Sequence, residues 1–507
     1  MRLRASVVFI LAFVLWGLIA PASMASVFKT VLAGVTTNFG WLYLWVVLGL
    51  VVLALVLAFS PSGNLKLGGE DDEPAFSLGS WFAMLFAAGM GIGLVFWGVG
   101  EPLSHFGNPP PGITPRTPEA ANAAMRYSFF HWGLHPWAVY SIVGLSIAFF
   151  QLRRGAPALV SAATSSLPWP WLRRLAPLID ILAIVATAFG VAASLGIGAL
   201  QIGSGLHHVF GLPTGVVSQI GIIVVATLLF IGSAVSGVDR GVKWLSSANL
   251  LVALALALVV FVLGPTVALI DTFSTTLGAY LSEFVRMSLR TTPFTDSSWV
   301  GDWTVFYWAW WISWSPFVGL FIARVSRGRT IRQFVLGTVL APTLAAALWF
   351  SIFGGTALWL EIFKGVPLAA AASADISTVL FHMFNALPLS MLMSAVATVL
   401  VLVFFVTSGD SATLVLGIMS RDGDPDPPAR VKATWGALIA GIAISLLLSG
   451  GVEAVQTATI VFALPFAGVI VLMAIALWRG VREDWAVEQQ RERALRRKLR
   501  ALADQQK

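Results

Sequence analysis

The residues of this chain prescribe an all-α membrane protein with about twelve transmembrane helices. Of its 507 residues, 58% are hydrophobic and only 11% charged, and the mean hydropathy is +0.86. Apolar runs repeatedly exceed the ~20 residues that cross a hydrocarbon layer. With the spans laid out alternately, 25 of the 31 lysines and arginines fall in loops and tails on the side of the N-terminus. That bias predicts cytoplasmic N- and C-termini. It also makes the +7 charge a matter of topology and argues against nucleic acid as a partner.

In order, the spans are predicted at 6–22, 40–60, 78–103, 125–150, 177–205, 214–235, 245–264, 303–325, 334–360, 388–410, 432–450 and 454–478. The first has Arg2 and Arg4 before it and Pro21-Ala22-Ser23-Met24-Ala25-Ser26 after it, which also fits a secretory signal peptide. An uncleaved first helix is expected; cleavage leaves eleven spans with the same sidedness. The third reads Gly89-Met90-Gly91-Ile92-Gly93 and later Glu101-Pro102. Each glycine costs about 1 kcal/mol relative to alanine in a helix interior, so the backbone can unwind there and offer N–H and C=O groups to a ligand. The same glycines also suit an ordinary G-x-x-x-G packing face.

The fourth span carries Trp132, Pro136, Trp137 and Tyr140, an aromatic face that a kink at Pro136 narrows. A belt at the membrane interface is the alternative. The fifth and sixth are joined by a short loop that is expected to hold His207-His208, and with no H-E-x-x-H spacing the six histidines are not expected to form a ligand cluster or a metal site. Between the seventh and eighth, residues 265–302 hold Val267-Ala268-Leu269-Ile270 and Leu281, Phe284, Val285 and Met287 at helical spacing, which predicts an amphipathic helix at the interface.

The eighth span has four tryptophans within seven residues, Trp308, Trp310, Trp311 and Trp314. At 100° per residue Tyr307, Trp310, Trp311 and Trp314 share an arc of about 100°. Such an aromatic wall attracts cations, quaternary ammonium above all. The tenth contains Thr407 and Ser408, hydroxyls that serve their own helix backbone or, beside a broken helix, a hard cation; Asp410 is expected near the cytoplasmic end. After Trp478 the tail turns basic, with Leu495, Leu499 and Leu502 at helical spacing. It reads as a solvated tail, or as a helix that meets anionic lipid headgroups. Cysteine is absent, and no paired acid and base, nucleophile or metal constellation occurs in the spans, so neither an enzyme nor a cofactor is expected. A channel is disfavoured by the scarcity of polar residues along a tryptophan-lined span.

At the glycine stretch with Glu101-Pro102, the fourth-span aromatics, Asp302-Trp303, the tryptophan block and the run Pro316-Phe317-Val318-Gly319-Leu320-Phe321-Ile322-Ala323-Arg324-Val325-Ser326-Arg327-Gly328-Arg329-Thr330-Ile331-Arg332, the chain resembles the betaine/carnitine/choline transporter family. The resemblance implies a leucine-transporter-type fold of two inverted five-helix repeats. It divides the chain into peripheral helices (1–77), a first repeat (78–264), an interfacial linker (265–302), a second repeat (303–478) and a tail (479–507). It further implies a homotrimer in the bacterial cytoplasmic membrane.

Carried over by position, the resemblance implies an aromatic box of Trp132, Trp137, Tyr140 and Trp311, with Trp314 as a further contact. The substrate carboxylate points at backbone N–H groups near Gly89, Met90 and Gly91. One sodium falls to Ala87, Met90, Phe404, Thr407 and Ser408. A second matches Thr187 and Phe317, but Val191 stands where a threonine is expected and removes an oxygen ligand. Gly93, where proton-coupled choline carriers tend to have an acid, tilts the reading toward zwitterions. The expected function is sodium-driven import of glycine betaine or a related osmolyte; the alternatives are carnitine, choline, ectoine or dimethylsulfoniopropionate with proton coupling or exchange, and a non-transporting osmosensor.

Overall fold

The computed structural model describes residues 1–89, 91–236, 239–295 and 297–505, with side chains described except at 86–89, 239–244, 246 and 452. Two helices open the chain, α1 (Arg2–Ile19) and α2 (Pro21–Phe59). They part at Ala20, because Pro21 supplies no N–H and fits the first turn of a new helix. Next come α3 (Leu78–Gly89), α4 (Ile92–Gly107), α5 (Pro118–Trp132), α6 (Leu134–Ala148) and the short α7 (Val160–Thr164). The middle of the chain forms α8 (Pro170–Phe210), α9 (Val216–Ser236), α10 (Asp239–Leu263), α11 (Thr266–Ser282) and α12 (Phe284–Ser288). The last part holds α13 (Phe306–Val325), α14 (Ile331–Lys364), α15 (Leu368–Ala374), α16 (Val379–Asn385), α17 (Ser390–Ser420), α18 (Ala429–Leu448) and α19 (Val452–Gln505).

Among the described residues ten helices are long and apolar enough to cross a membrane, and α10 with α11, bent by 110°, makes an eleventh candidate. The expected third span is α3 followed by α4, 12 and 16 residues parted at Gly91, so neither half spans alone. The bend between α10 and α11 turns the chain where the interfacial helix was expected. No β-strand occurs among the described residues; one isolated antiparallel bridge joins Lys66 to Thr330.

The peripheral pair belongs to the core packing. Phe13 of α1 meets Phe189 of α8 edge to face at 4.6 Å, Ser445 Oγ donates to Val14 O, and the Tyr43 hydroxyl of α2 donates to Ile460 O at 2.6 Å. One end of the bundle gathers Arg2, Arg153, Arg154, Arg327, Arg329 and Arg332. There the run that follows α13 is clasped by the loop before α3: Leu67 N–H donates to Arg329 O and Gly328 N–H to Leu67 O. Arg327 pairs with Asp72 at 2.9 Å, and Arg332 donates to Ala58 O and Ser60 O. The guanidinium of Arg327 holds the Asp72 carboxyl below the usual carboxylate range. Trp81 of α3 donates to Ser326 Oγ and lies under the Arg329 guanidinium at 4.8 Å.

At the same end Asp180 of α8 is buried and accepts from Ser161 N–H, Ser161 Oγ and Arg2, while Arg2 also pairs with Asp422. The tail continues α19 as one helix. Its root is held by Asp484 to Arg153 and Arg154, each at 2.8 Å, and beyond it Leu495, Leu499 and Leu502 are exposed. Asp410 is level with the last turn of α9, within reach of Ser233 Oγ.

Candidate functional site

The fourth span is broken at its centre, and the break assembles the aromatic site. Pro136 was expected to narrow the face by kinking the helix; the structure has a full break, with α5 stopping at Trp132, α6 beginning at Leu134, and Gly133 between them at φ −96° and ψ −131°. The proline ring clashes with a helical carbonyl four residues before it, which is that of Trp132, so the helix is weakened there, and Gly133 lets it break. A Cβ on Gly133 would lie 2.4 Å from Phe129 O and 2.9 Å from the Tyr280 hydroxyl, so only glycine fits the corner. The freed backbone groups have side-chain partners. Trp311 Nε1 donates to His131 O at 2.9 Å, and Leu134 N–H donates to the Tyr280 hydroxyl of α11 at 3.1 Å.

Across that corner the rings converge at right angles. Trp132 and Trp311 have centroids 4.9 Å apart and planes 80° apart; Tyr140 and Trp311 lie at 5.9 Å and 88°, Trp137 and Tyr140 at 5.5 Å and 80°. All four are buried. Trp310 stacks behind Trp311 at 5.3 Å and donates to Ser194 Oγ. The structure thus brings together Trp132, Trp137, Tyr140 and Trp311, while Trp314 faces elsewhere. Its Nε1 donates to Gly190 O of α8 at 2.7 Å and its ring meets Phe317. Gly190, lacking a side chain, lets the indole approach the backbone there. Trp308 packs between Phe130 and His135. The Tyr140 hydroxyl is buried with no hydrogen-bond partner among the described residues.

Gly93 of α4 borders the rings: a Cβ there would lie 2.8 Å from Trp310 and 3.0 Å from Trp132. Met90 lies outside the described residues, and of Ala87 and Gly89 only the helical backbone of α3 is described. Gly91 is described, and Ser408 Oγ of α17 lies 3.7 Å from where its Cβ would be, so that hydroxyl faces the break between α3 and α4. Thr407 Oγ1 donates to Val403 O and Phe404 O of its own helix. The Thr187 hydroxyl is buried with no partner among the described residues, and Val191 is buried one turn on.

Sequence reasoning missed the polar hub behind the rings. Glu101 of α4 is fully buried, and its Oε2 accepts from Trp132 Nε1 at 2.7 Å and from the Tyr307 hydroxyl at 2.5 Å. Its Oε1 lies 2.7 Å from His131 Nδ1 and 3.2 Å from His105 Nε2. Glu101, His105 and His131 therefore cluster, with ligand-type atoms within 4.8 Å, against the expectation that no histidines gather. His135, spaced four from His131, turns away instead to Ser288 Oγ. The hydrogen bonds already made by Glu101 and His131 give the cluster a reason to exist as a brace. The available signal was a carboxylate inside an otherwise uncharged span, which by itself marks a functional position.

An aromatic corner braced by a buried acid, on two interrupted helices, agrees with what the sequence resembles. The profile of the BCCT, betaine/carnitine/choline family transporter, matches residues 3–486. The chain belongs to the betaine/carnitine/choline transporter family. It is 47% identical over 476 residues to the glycine betaine transporter OpuD of Bacillus subtilis, covering 93% of this chain and 92% of that one. It is 44% identical over 477 residues to an ectoine/hydroxyectoine transporter of Virgibacillus pantothenticus, with 94% of each covered. A glycine betaine transporter of Vibrio parahaemolyticus is 43% identical over 492 residues, with 94% and 92% covered. This betaine/carnitine/choline family member is accordingly a multi-pass membrane transporter and no enzyme.

Proposed function

We propose that this transporter imports glycine betaine, driven by sodium, by alternating access across the bacterial cytoplasmic membrane. The observation that carries the proposal is the right-angled set of Trp132, Trp137, Tyr140 and Trp311. A trimethylammonium head donates no conventional hydrogen bond, so ring faces and shape must select it, at about 0.5–2 kcal/mol per cation–π contact. The orphaned Tyr140 hydroxyl offers a polar contact at the rings. The carboxylate end of the substrate points to the break between α3 and α4, since helix ends offer backbone groups without partners in the helix. Betaine is the substrate named for two of the relatives above, and the absence of an acid at Gly93 suits a zwitterion.

Sodium coupling draws support from Ser408, whose hydroxyl faces that break beside Thr407 and Phe404. The partnerless Thr187 hydroxyl supports a second ion near Phe317, and Val191 argues against it. In this reading 78–264 and 303–478 are inverted repeats, the basic end is cytoplasmic, the first helix is retained, three copies assemble, and the tail meets anionic lipid. Ectoine is the second reading, since a relative 44% identical carries that name.

Titration of intrinsic tryptophan fluorescence tests the substrate class. Glycine betaine shifts the emission with saturation, more tightly in sodium than in potassium, and ectoine competes more weakly. A titration in which only ectoine acts replaces betaine with ectoine; one in which neither acts refutes the proposal.

A further inference from the structure

We infer that Glu101 is a positioning residue that makes the ring corner prefer a cationic head over a neutral one of the same shape, acting through the indole N–H of Trp132. The inference rests on the reading of Trp132, Trp137, Tyr140 and Trp311 as a head-group site. Its own basis is the donor count at one carboxylate. Trp132 Nε1 can only donate, and it does so to Oε2, which the Tyr307 hydroxyl also reaches. On the other side, Thr304 Oγ1 sits 3.0 Å from His131 Nε2; with that hydroxyl donating, His131 Nδ1 keeps its proton for Oε1. His105 Nε2 lies 3.2 Å from the same Oε1 and is the fourth donor in the tautomer that carries its proton there. With Trp132 Nε1 a donor only, and with the Tyr307 hydroxyl and both histidines donating as well, four donors converge, and we assign the ionised form to Glu101.

On the Oε1 side its hydrogen-bond partners are histidines, and no Lys or Arg pairs with it among the described residues. A negative charge is thus buried directly behind one wall of the cation site. Through the charge-assisted bond it draws the N–H proton and leaves electron density on the indole, which deepens the negative face that a cation meets. Tyr307, whose hydroxyl reaches the same carboxylate, lies nearly parallel to Trp311, with the planes 21° apart and centroids at 6.3 Å. The brace also fixes ring orientation, because Trp132 is pinned between Glu101 and the edge of Trp310. A ligand with a quaternary carbon in place of nitrogen has the shape to fill the corner but gains nothing from that charge.

The test compares glycine betaine, tetramethylammonium and 3,3-dimethylbutanoate, the carbon isostere of betaine, on the full-length protein. Glu101→Gln is expected to weaken glycine betaine and tetramethylammonium about tenfold and 3,3-dimethylbutanoate less than about twofold. In a Trp132→Phe background, which has no N–H, the same change is expected to move betaine affinity less than about twofold. Equal losses for the ligands with cationic heads and the one with a neutral head, or an undiminished loss in the Trp132→Phe background, overturn the inference. If the isostere does not bind wild type, the Trp132→Phe cycle decides. If Glu101→Gln does not fold, the indole N–H proton of Trp132 in wild-type protein, assigned by its loss in Trp132→Phe, decides. A resonance at the low-field edge of the indole range supports a bond to an anion, and one among solvent-exposed indoles overturns it. Wild-type protein that binds tetramethylammonium but not betaine refutes the betaine reading alone; binding of neither refutes both.

Discussion

Replacing Trp311 probes the ring corner where two of its roles meet. Trp311→Leu removes a face set at 80° to Trp132 and 88° to Tyr140, and it deprives the His131 carbonyl of the indole that satisfies it at the break. Loss of one cation–π contact is worth about 0.5–2 kcal/mol, or roughly 2- to 30-fold in Kd. The stranded carbonyl adds a stability cost of about 1–3 kcal/mol, because a buried acceptor loses its partner. Trp308→Leu, three residues earlier on the same helix, removes a buried ring that packs on Phe130 and His135 and makes no ring contact with Trp137, Tyr140 or Trp311 among the described residues. Equilibrium binding of labelled betaine to purified protein, with thermal unfolding of each variant, separates the two. Trp311→Leu lowers affinity and stability together; Trp308→Leu lowers stability and leaves Kd within about twofold. Unchanged affinity in folded Trp311→Leu protein refutes the assignment of that ring to the substrate.

Gly133→Ala places a methyl group 2.4 Å from a backbone oxygen, so folded, monodisperse protein is recovered in much lower yield; normal yield and binding contradict the corner. Ser408→Ala raises the sodium concentration for half-maximal betaine uptake about tenfold or more, whereas Thr187→Val changes it less than about twofold if Val191 has abolished the second ion. Removing residues 489–507 keeps the Asp484 pairs with Arg153 and Arg154, so uptake at low osmolality persists while its dependence on osmolality and on anionic lipid shifts; an unaltered profile removes the tail from regulation. Asp72 has a lowered folded value, so its stabilising effect is present above the ordinary carboxylate range and disappears as pH falls below about 4. Thermal stability measured from pH 3 to 6 therefore flattens in Asp72→Asn.

The spans were legible in the sequence because bilayer thickness sets a length and burial sets a composition, both local properties. The third-span break was visible in Gly89-Met90-Gly91 for the same reason. In the fourth span a kink was legible from Pro136 but a full break was not, because it takes two residues together: Pro136 clashes with the carbonyl of Trp132, and Gly133 is the residue between them that can turn. Helical projection put Trp314 on the wall with Trp311, since an angle on a wheel does not say which neighbour lies opposite. The neighbour of Trp314 is α8, across from Gly190. Glu101, His105 and His131 come from two helices and are closed by Thr304 and Tyr307 of the eighth span, so no local spacing reveals their convergence.

Uptake by purified protein in sealed liposomes is the measurement that bears most directly on the whole account. With sodium outside and potassium inside, labelled glycine betaine accumulates above its external concentration, and Trp311→Leu protein reconstituted at equal density accumulates little. Accumulation that is the same with or without a sodium gradient, or that survives loss of Trp311, contradicts the account.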